Sequence, residues 1–453
     1  MSEFLGSVWW LIVSLGVLVT FHEFGHYWVA RRCGVRVLRF SVGFGRALWS
    51  RRGRDGTVYQ VAMIPLGGYV KMLDEREGDV APAEAAQAFN RASVWKRIAI
   101  VAAGPVANLV LCVALLWAMF VIGRPDYAPV LGQATGIAAA SGLRGGDTID
   151  AVGDRATPTW SEVHLALLPA ALDHADVDVQ VTDANGRAAQ RRLQLSQLPA
   201  DFDQRRITQM IGVVPRHFLL PPVVGRVTPD SAAWGALAEE DRITAIDGVP
   251  IHWFDEIGPA VQPLGERDRP AMIEVLRGGE RLALEITPTR LERPDGSQLW
   301  ALGIAPPANL PAPEKDAVQR YGPVAAVPVA LREVGHLTGQ LVGMVGRAFS
   351  GRLAIENTVS GPITIARAAN AYAQQGAAWY LTILALLSLS LAILNLLPIP
   401  LLDGGHLLYY LIELVKGSPV SERAMVAGQY VGLVLLASLM GLAFYNDILQ
   451  LVR

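Results

Sequence analysis

Cysteine and charge are both scarce in this sequence. Only two of the 453 residues are cysteine, Cys33 and Cys112, so no disulfide can stabilise the long middle region between residues 123 and 312. Charged residues make up 18% of the chain, below the usual quarter, and the formal net charge is −2. Because this balance offers no strongly basic surface, we predict no nucleic-acid partner.

Apolar residues are abundant instead, at 52% of the chain with a mean hydropathy of +0.32. Four stretches carry no charge, and they cover residues 4–21, 98–122, 377–402 and 425–445. Each is close to the roughly 20 residues that a helix needs to cross the hydrocarbon core of a bilayer. We therefore predict a multi-pass α-helical membrane protein with four transmembrane helices. A buried core helix is the alternative for any single stretch.

Basic residues indicate the orientation of the chain. Residues 31–97 contain thirteen Lys and Arg against six Asp and Glu, so the positive-inside rule places this segment in the cytoplasm. Both termini and the middle region then lie on the opposite side. No basic segment precedes the first apolar run and no small-residue cleavage site ends it, which favours a retained helix over a removable signal peptide.

The middle region repeats itself at a constant offset of 94 residues, which aligns Asp147 and Ile149 with Asp241 and Ile243. The two copies, GLRGGDTIDAVGD and GALAEEDRITAIDG, resemble PDZ domains. We predict two tandem PDZ-like α+β domains, at 123–221 and 222–312, inserted between the second and third spans. The resemblance implies a groove that binds a peptide as an added strand. Small β domains that act only as spacers are the alternative.

The first apolar run leads into His22-Glu23-Phe24-Gly25-His26. Helical residues four apart share a face, so both imidazoles can reach one metal ion, while Glu23 is placed to take a proton from water. Polar groups inside a span cost a few kcal/mol each, so three of them within five residues indicate a function. A segment just beyond the membrane edge is the alternative reading.

A catalytic zinc ion usually has three protein ligands. The only carboxylate between residues 377 and 410 is Asp403, in the motif NLLPIPLLDGGH at 395–406. By the predicted topology it lies at the same depth as the two histidines. The prolines of the motif break the helix, and Gly404 and Gly405 permit a turn that aims the carboxylate inward. An ordinary solvated helix end is the alternative, and we interpret His406 as a supporting residue.

Together, HEFGH, the PDZ-like pair and N-x-x-P-x-P-x-x-D-G-G-H resemble the site-2 protease family of intramembrane zinc metalloproteases, over nearly the whole chain. The resemblance implies that His22, His26 and Asp403 bind Zn²⁺ and that Glu23 activates a water molecule. It also implies that Asn395 contacts the substrate backbone or the developing oxyanion. For Asn395, a helix–helix hydrogen bond is the alternative.

The same resemblance implies a place and a substrate. The protein would lie in the bacterial inner membrane, with the PDZ-like domains and both termini in the periplasm. It would cleave single-span proteins of the anti-sigma-factor type after a first protease has cut them, and also remnant signal peptides. The predicted segments are a first span at 1–30, a cytoplasmic segment at 31–97, a second span at 98–122, amphipathic periplasmic helices at 313–376, a third span at 377–410 and a fourth at 424–446. For the amphipathic stretch, a helix that docks a partner protein is the alternative to a helix on the membrane surface.

A transmembrane substrate shields its own peptide bonds, because its backbone hydrogen bonds are satisfied within the helix. The enzyme must therefore unwind the segment and supply replacement partners, as an exposed strand edge does. We predict a hairpin that turns at the Gly-Gly pair 67–68 and presents an edge to the substrate. The residues of this predicted edge are Gly67, Gly68, Tyr69, Val70, Lys71 and Met72.

Two other classes of function fit parts of the sequence. A PDZ scaffold would use the membrane helices only as an anchor, and a transporter would also bury polar groups. Neither class needs a general base, so both predict that Glu23→Gln has no effect.

Overall fold

A computed structural model describes residues 3–199, 206–292, 298–350 and 361–452. The chain divides into two compact units. The membrane unit is formed by Met1–Arg124 and Arg320–Arg453, and the inserted unit by Pro125–Gln319.

The elements of the first part of the chain are α1 (Glu3–Arg32), β1 (Val37–Arg52), β2 (Val58–Met72) and α2 (Val94–Ile122). There follow β3 (Arg124–Asp126), β4 (Leu131–Ala134), α3 (Gly136–Ala140), β5 (Thr148–Val152), β6 (Arg155–Ala156), α4 (Trp160–Leu172), β7 (Val177–Thr182), β8 (Ala188–Leu193), α5 (Ile207–Ile211) and β9 (Val213–Pro215). The second repeat comprises β10 (Arg226–Val227), β11 (Arg242–Ile246), β12 (Val249–Pro250), α6 (Ile257–Glu266), β13 (Ala271–Arg277), β14 (Glu280–Ile286), β15 (Thr289–Glu292), β16 (Gln298–Ala301) and β17 (Ile304–Ala305), and β18 (Ala317–Gln319) follows it. The chain ends with α7 (Pro323–Phe349), α8 (Pro362–Gln374), α9 (Ala377–Leu396), α10 (Asp403–Lys416) and α11 (Glu422–Val452).

Four of the described helices are long and apolar enough to cross a membrane: α1, α2, α9 and most of α11. They correspond to the four apolar stretches of the sequence. The predicted third span at 377–410 is not one helix, however. Because two prolines follow α9, the helix ends at Leu396 and a separate helix, α10, begins at Asp403.

Helix α2 lies at the centre of the membrane unit, where it contacts α1, α7, α9 and α10. Of the segment predicted as amphipathic surface helices, α7 places Ala326 and Ala330 in one buried cluster with Leu116 and Phe120 of α2. Small alanine side chains let two helices approach closely. The face of α7 that carries these two alanines is therefore covered by α2, whereas Val324 and Leu331 on the same helix are exposed. Residues 351–360 of the same predicted segment lie outside the described residues.

Strands β1 and β2 form an antiparallel hairpin, but its turn is not where the sequence predicted it. The chain reverses at Asp55 and Gly56, where Gly56 has φ of 84° and Asp55 accepts hydrogen bonds from the backbone and hydroxyl of Thr57. This Asp-Gly chemistry is a stronger turn signal than the pair of glycines. The predicted turn at Gly67 and Gly68 is wrong, because both residues lie within β2.

The inserted unit contains two four-stranded sheets with the same strand order, β6-β5-β7-β8 and β12-β11-β13-β14. Each sheet packs on its own apolar cluster, around Ile149 in the first and Ile243 in the second. The aligned aspartates make the same local bond. Asp147 accepts the backbone N–H of Arg144 at 2.9 Å, and Asp241 accepts that of Ala238 at 2.8 Å. The repeat in the sequence thus corresponds to a repeat in geometry.

Candidate active site

His22 and His26 lie one turn apart on α1, and their Nε2 atoms are 3.2 Å apart. The Nδ1 atom of His26 is 2.8 Å from the carbonyl oxygen of Ile100 on α2. Because a carbonyl can only accept, Nδ1 carries the proton and Nε2 keeps a free lone pair. The two Nε2 atoms therefore face a common point as potential metal ligands.

Asp403 reaches this point from the other end of the chain, as the first residue of α10. Its Oδ2 atom is 3.2 Å from Nε2 of His22 and 3.5 Å from Nε2 of His26. The sharp bend before α10 is made by Leu401, whose φ is 91°. The sequence predicted that Gly404 and Gly405 would make this turn. Both are helical instead, and they pack closely against the carbonyls of residues 397 and 399.

These three residues fit a zinc ion. Bonds of about 2.0–2.1 Å in a tetrahedral site place neighbouring ligand atoms about 3.3–3.4 Å apart, close to the separations seen here. Oδ2 of Asp403 is also shielded from solvent and accepts no well-aligned hydrogen bond from any described residue. A bound cation would satisfy this oxygen. Two imidazole nitrogens and one carboxylate oxygen are a ligand set that zinc prefers.

Comparison with known proteins agrees with this chemistry. The model of peptidase family M50 matches residues 10–439. The chain is 42% identical over 463 residues to the regulator of sigma-E protease RseP of Escherichia coli (strain K12), covering 100% of both chains. It is 41% identical over 444 residues to the protein of that name in Salmonella typhimurium (strain 14028s / SGSC 2262), covering 97% of this chain and 98% of the relative. It is 53% identical over 449 residues to a protein of Xylella fastidiosa (strain 9a5c) named as a zinc metalloprotease, covering 99% and 100%.

The chain belongs to peptidase family M50. As an M50 peptidase it is a zinc metalloprotease of the site-2 protease family, and four of its described helices are long and apolar enough to span a membrane. The resemblance inferred from the sequence motifs is confirmed.

In this M50 peptidase, β2 runs beside the predicted general base. The backbone of Val70 faces the Glu23 carboxylate. A Cβ atom at Gly68 would lie only 3.1 Å from Cγ of Glu23 and 2.7 Å from the carbonyl oxygen of Ser41. Glycine at this position therefore lets the strand approach both α1 and β1.

The predicted edge residues have different surroundings. Tyr69 stacks on Phe44 with ring centroids 6.3 Å apart. Lys71 lies 3.6 Å from the carboxylate of Glu77. Gly67 also lies against the Phe44 ring. Val70 and Met72 pack against the cluster around Tyr27.

The segment Gly67–Met72 pairs with β1 along one side, and no strand among the described residues pairs with its other side.

Asn395 lies in the last turn of α9 and is half-buried. Its side chain makes no hydrogen bond within the described parts of the chain, so its role remains a prediction. His406 lies near Asp403 on α10 and contacts the ring of Tyr409, with ring centroids 6.4 Å apart. This contact is compatible with the supporting role that the sequence predicted.

Sequence reasoning missed Asn108, in the middle of α2. Its side-chain Nδ2 lies 3.3 Å from Nδ1 of His22, and the residue is fully buried. The available signal was a carboxamide inside an apolar stretch, where a polar group needs a partner.

Proposed function

We propose that this peptidase cleaves single-span membrane proteins at bonds within or near the lipid, using Zn²⁺ held by His22, His26 and Asp403. The observation that carries the proposal is the convergence of these ligand atoms from opposite ends of the chain, with separations of 3.2 to 3.5 Å. Two of the ligands lie on α1, a helix apolar enough to span the membrane. The reaction centre would then lie where a transmembrane substrate can reach it.

When bound, zinc supplies a Lewis acid that polarises the scissile carbonyl and lowers the pKa of a water molecule. Glu23, next to His22 in the sequence, takes a proton from the attacking water and gives it to the leaving amine. Asn395 donates a hydrogen bond from its amide to the substrate carbonyl oxygen. The backbone of Val70, which faces Glu23, would orient its carboxylate.

The substrate is unwound before cleavage and pairs with the open side of β2 at Gly67–Met72. The proposal is supported by the position of Gly68 against Glu23, which brings this strand to the general base. Backbone groups on the open side replace the hydrogen bonds that the substrate loses on unwinding.

A matched pair of proline variants tests this pairing. Proline removes a backbone donor and resists a strand conformation in the middle of a sheet. K71P should lower cleavage strongly, whereas K71A, which keeps the backbone donor, should not. Because proline can also disturb the pairing with β1, zinc content is measured in both variants. Full cleavage by K71P would refute the strand pairing.

The two repeats of the inserted unit act as PDZ-like domains that lie in the periplasm and exclude substrates with bulky outer domains. Their shared strand order supports a common fold. Residues 31–97, rich in Lys and Arg, would face the cytoplasm. Relatives named for the regulation of sigma-E support an anti-sigma factor as one substrate. Remnant signal peptides would be a second substrate class.

Co-expression with a tagged single-span substrate that lacks its outer domain tests the function as a whole. The wild type should release a fragment whose size fits a cut within the span, and E23Q should release none while retaining zinc. A scaffold or a transporter would be unaffected by E23Q. Equal fragment yield from both proteins would refute the proposal.

A further inference from the structure

The carboxamide of Asn108 is buried at the site with one end unpaired. The residue is 0% exposed, and its Oδ1 atom has no hydrogen-bond partner among the described residues. Its other end, Nδ2, lies 3.3 Å from Nδ1 of His22. A buried polar group in a native protein is rarely left without a partner, so this arrangement needs an explanation.

The positions of the protons on His22 and His26 explain why a carboxamide is buried here. Nε2 of His22 faces both Asp403 and His26, so Nε2 must carry the lone pair if His22 is a metal ligand. A neutral imidazole then has its proton on Nδ1 and needs an acceptor there. For His26 that acceptor is the carbonyl of Ile100. For His22, the side chain within hydrogen-bond distance of Nδ1 is Asn108.

The direction of this hydrogen bond depends on the carboxamide orientation. The oxygen and nitrogen of an amide have nearly the same shape, so their assignment follows from the hydrogen-bond network. With Nδ2 toward His22, the imidazole would accept and its proton would be on Nε2, the atom needed for the metal. With Oδ1 toward His22, the imidazole donates. Rotating the carboxamide so that Oδ1 and Nδ2 change places loses no hydrogen bond. In either orientation one of these two atoms faces His22 and the other has no partner among the described residues.

We propose that Asn108 is a positioning residue whose Oδ1 accepts the Nδ1 proton of His22, which holds the imidazole in the tautomer that binds Zn²⁺ through Nε2. The inference rests on the zinc site proposed above. Partners that orient metal-ligating histidines in this way commonly change metal affinity 10- to 100-fold when removed.

Two features of the packing place Asn108 beside His22. The hydroxyl of Ser388 on α9 donates to the backbone carbonyl of Asn108 at 2.7 Å. One turn earlier on α2, a Cβ atom at Gly104 would lie 2.8 Å from Cε1 of His22 and 2.6 Å from Cε1 of His26. Only glycine lets α2 approach the imidazoles closely enough for the asparagine to reach Nδ1. Gly104 and Asn108 lie four residues apart and so share a helix face.

Zinc titration of the purified full-length protein tests the proposal. The protein is stripped of metal in detergent and titrated with Zn²⁺ against a chromophoric chelator. N108A and N108L remove the acceptor and should weaken zinc binding roughly 10- to 100-fold. N108D presents only acceptor oxygens, so it should bind zinc within a few-fold of the wild type. A packing or helix–helix role would not be rescued by the aspartate.

S14A is the matched control, since it removes a buried hydrogen bond between α1 and α9, from Ser14 to the Tyr380 hydroxyl at 3.0 Å, and changes no residue of the proposed zinc site. Its zinc affinity should equal that of the wild type. Wild-type affinity in N108A or N108L, or weakening in N108D equal to that in N108L, would overturn the inference. If N108A fails to fold, as judged by size-exclusion chromatography, N108L and N108D decide. Absence of zinc from the wild type, or full binding by H22A, would instead overturn the zinc site itself.

Discussion

Each unit of the molecule contains a buried ion pair between an arginine and a glutamate. In the membrane unit, Arg97 donates to Glu413 at 2.7 Å, with side chains 13% and 11% exposed. In the inserted unit, Arg155 donates to Glu162 at 2.6 Å, with side chains 8% and 6% exposed. The bonds are alike, but the elements that they join are not.

Arg97 lies in the first turn of α2, and Glu413 lies on α10, the helix that begins with Asp403. Arg97 also lies 4.9 Å over the ring of Tyr410 on the same helix. This pair therefore holds the helix that carries Asp403, the third of the proposed zinc ligands. The pair in the inserted unit joins β6 to α4 within one β domain. The same interaction would position a proposed metal ligand in one unit, and it stabilises a fold in the other.

Buried carboxylates differ in a similar way. Asp241 accepts hydrogen bonds from Arg277 at 2.7 Å and from the backbone of Ala238. Asp403 leaves Oδ2 without a well-aligned donor among the described residues. The satisfied carboxylate of Asp241 therefore indicates a structural position, whereas the unsatisfied Oδ2 of Asp403 makes this residue a candidate metal ligand.

The largest effect that we predict is from E23Q. A neutral amide cannot take a proton, so proteolysis should fall by about 10²–10⁴-fold or below detection. Zinc content should stay at the wild-type level, because Glu23 is not a ligand. Fragment yield and metal analysis on the same purified protein check this. Loss of zinc together with activity would show that Glu23 is needed for metal binding, which would contradict its assignment as a general base only.

Breaking each ion pair tests the comparison directly. E413A and E162A each remove the carboxylate from an ion pair that is largely shielded from solvent, which costs about 3–5 kcal/mol in typical cases. Both variants should therefore melt at a lower temperature. Only E413A should also weaken zinc binding, by a few-fold, because only this glutamate orients α10. Weakened zinc binding in E162A, at a temperature where the protein is folded, would contradict the separation of roles.

Acid should affect the inserted unit through Asp241. Burial tends to raise the pKa of this carboxyl, but hydrogen bonds from Arg277 and from the Ala238 N–H outweigh it, so the net pKa is lowered. A lowered folded-state pKa gives stability that is present above the unfolded value of about 3.9 and is lost as pH falls through the folded value.

D241N should therefore lower the free energy of unfolding by about 1–2 kcal/mol near neutral pH. Below about pH 4, the free energy of unfolding should fall less in D241N than in the wild type. Limited proteolysis of the full chain at pH 7 and at pH 3.5 measures both, with D255N as a control at an exposed carboxylate. Identical acid sensitivity in wild type and D241N would show that other carboxyls dominate.

The smallest effect is expected from K71A. The ion pair of Lys71 with Glu77 is 3.6 Å long and its side chains are 46% and 61% exposed, so its contribution to stability is small, about 0–1 kcal/mol. If β2 acts through its backbone, K71A should cleave substrate within about twofold of wild type. A large loss of cleavage would assign the role to the side chain and weaken the proposed strand pairing.

The elements that depend on local pattern could be predicted from the sequence. Uninterrupted apolar runs predicted the four helices long enough to span a membrane, and the spacing of His22 and His26 placed both on one helix face. The predicted turn of the β1–β2 hairpin at Gly67 and Gly68 is wrong, because Asp55 and Gly56 form the stronger turn signal. The prolines after α9 correctly indicated a break, but the residue that turns the chain, Leu401, carries no turn signal of its own.

Sequence by itself determined that two histidines and a glutamate lie together, because the helical repeat fixes neighbours four residues apart wherever the helix goes. It also determined that the middle of the chain repeats. Only the tertiary structure brought Oδ2 of Asp403 to those imidazoles, Gly68 against Glu23 and Asn108 to Nδ1 of His22. These contacts depend on how α1, α2, β2 and α10 pack together. Packing between segments that are distant in the chain leaves no periodic pattern in the sequence from which it could be predicted.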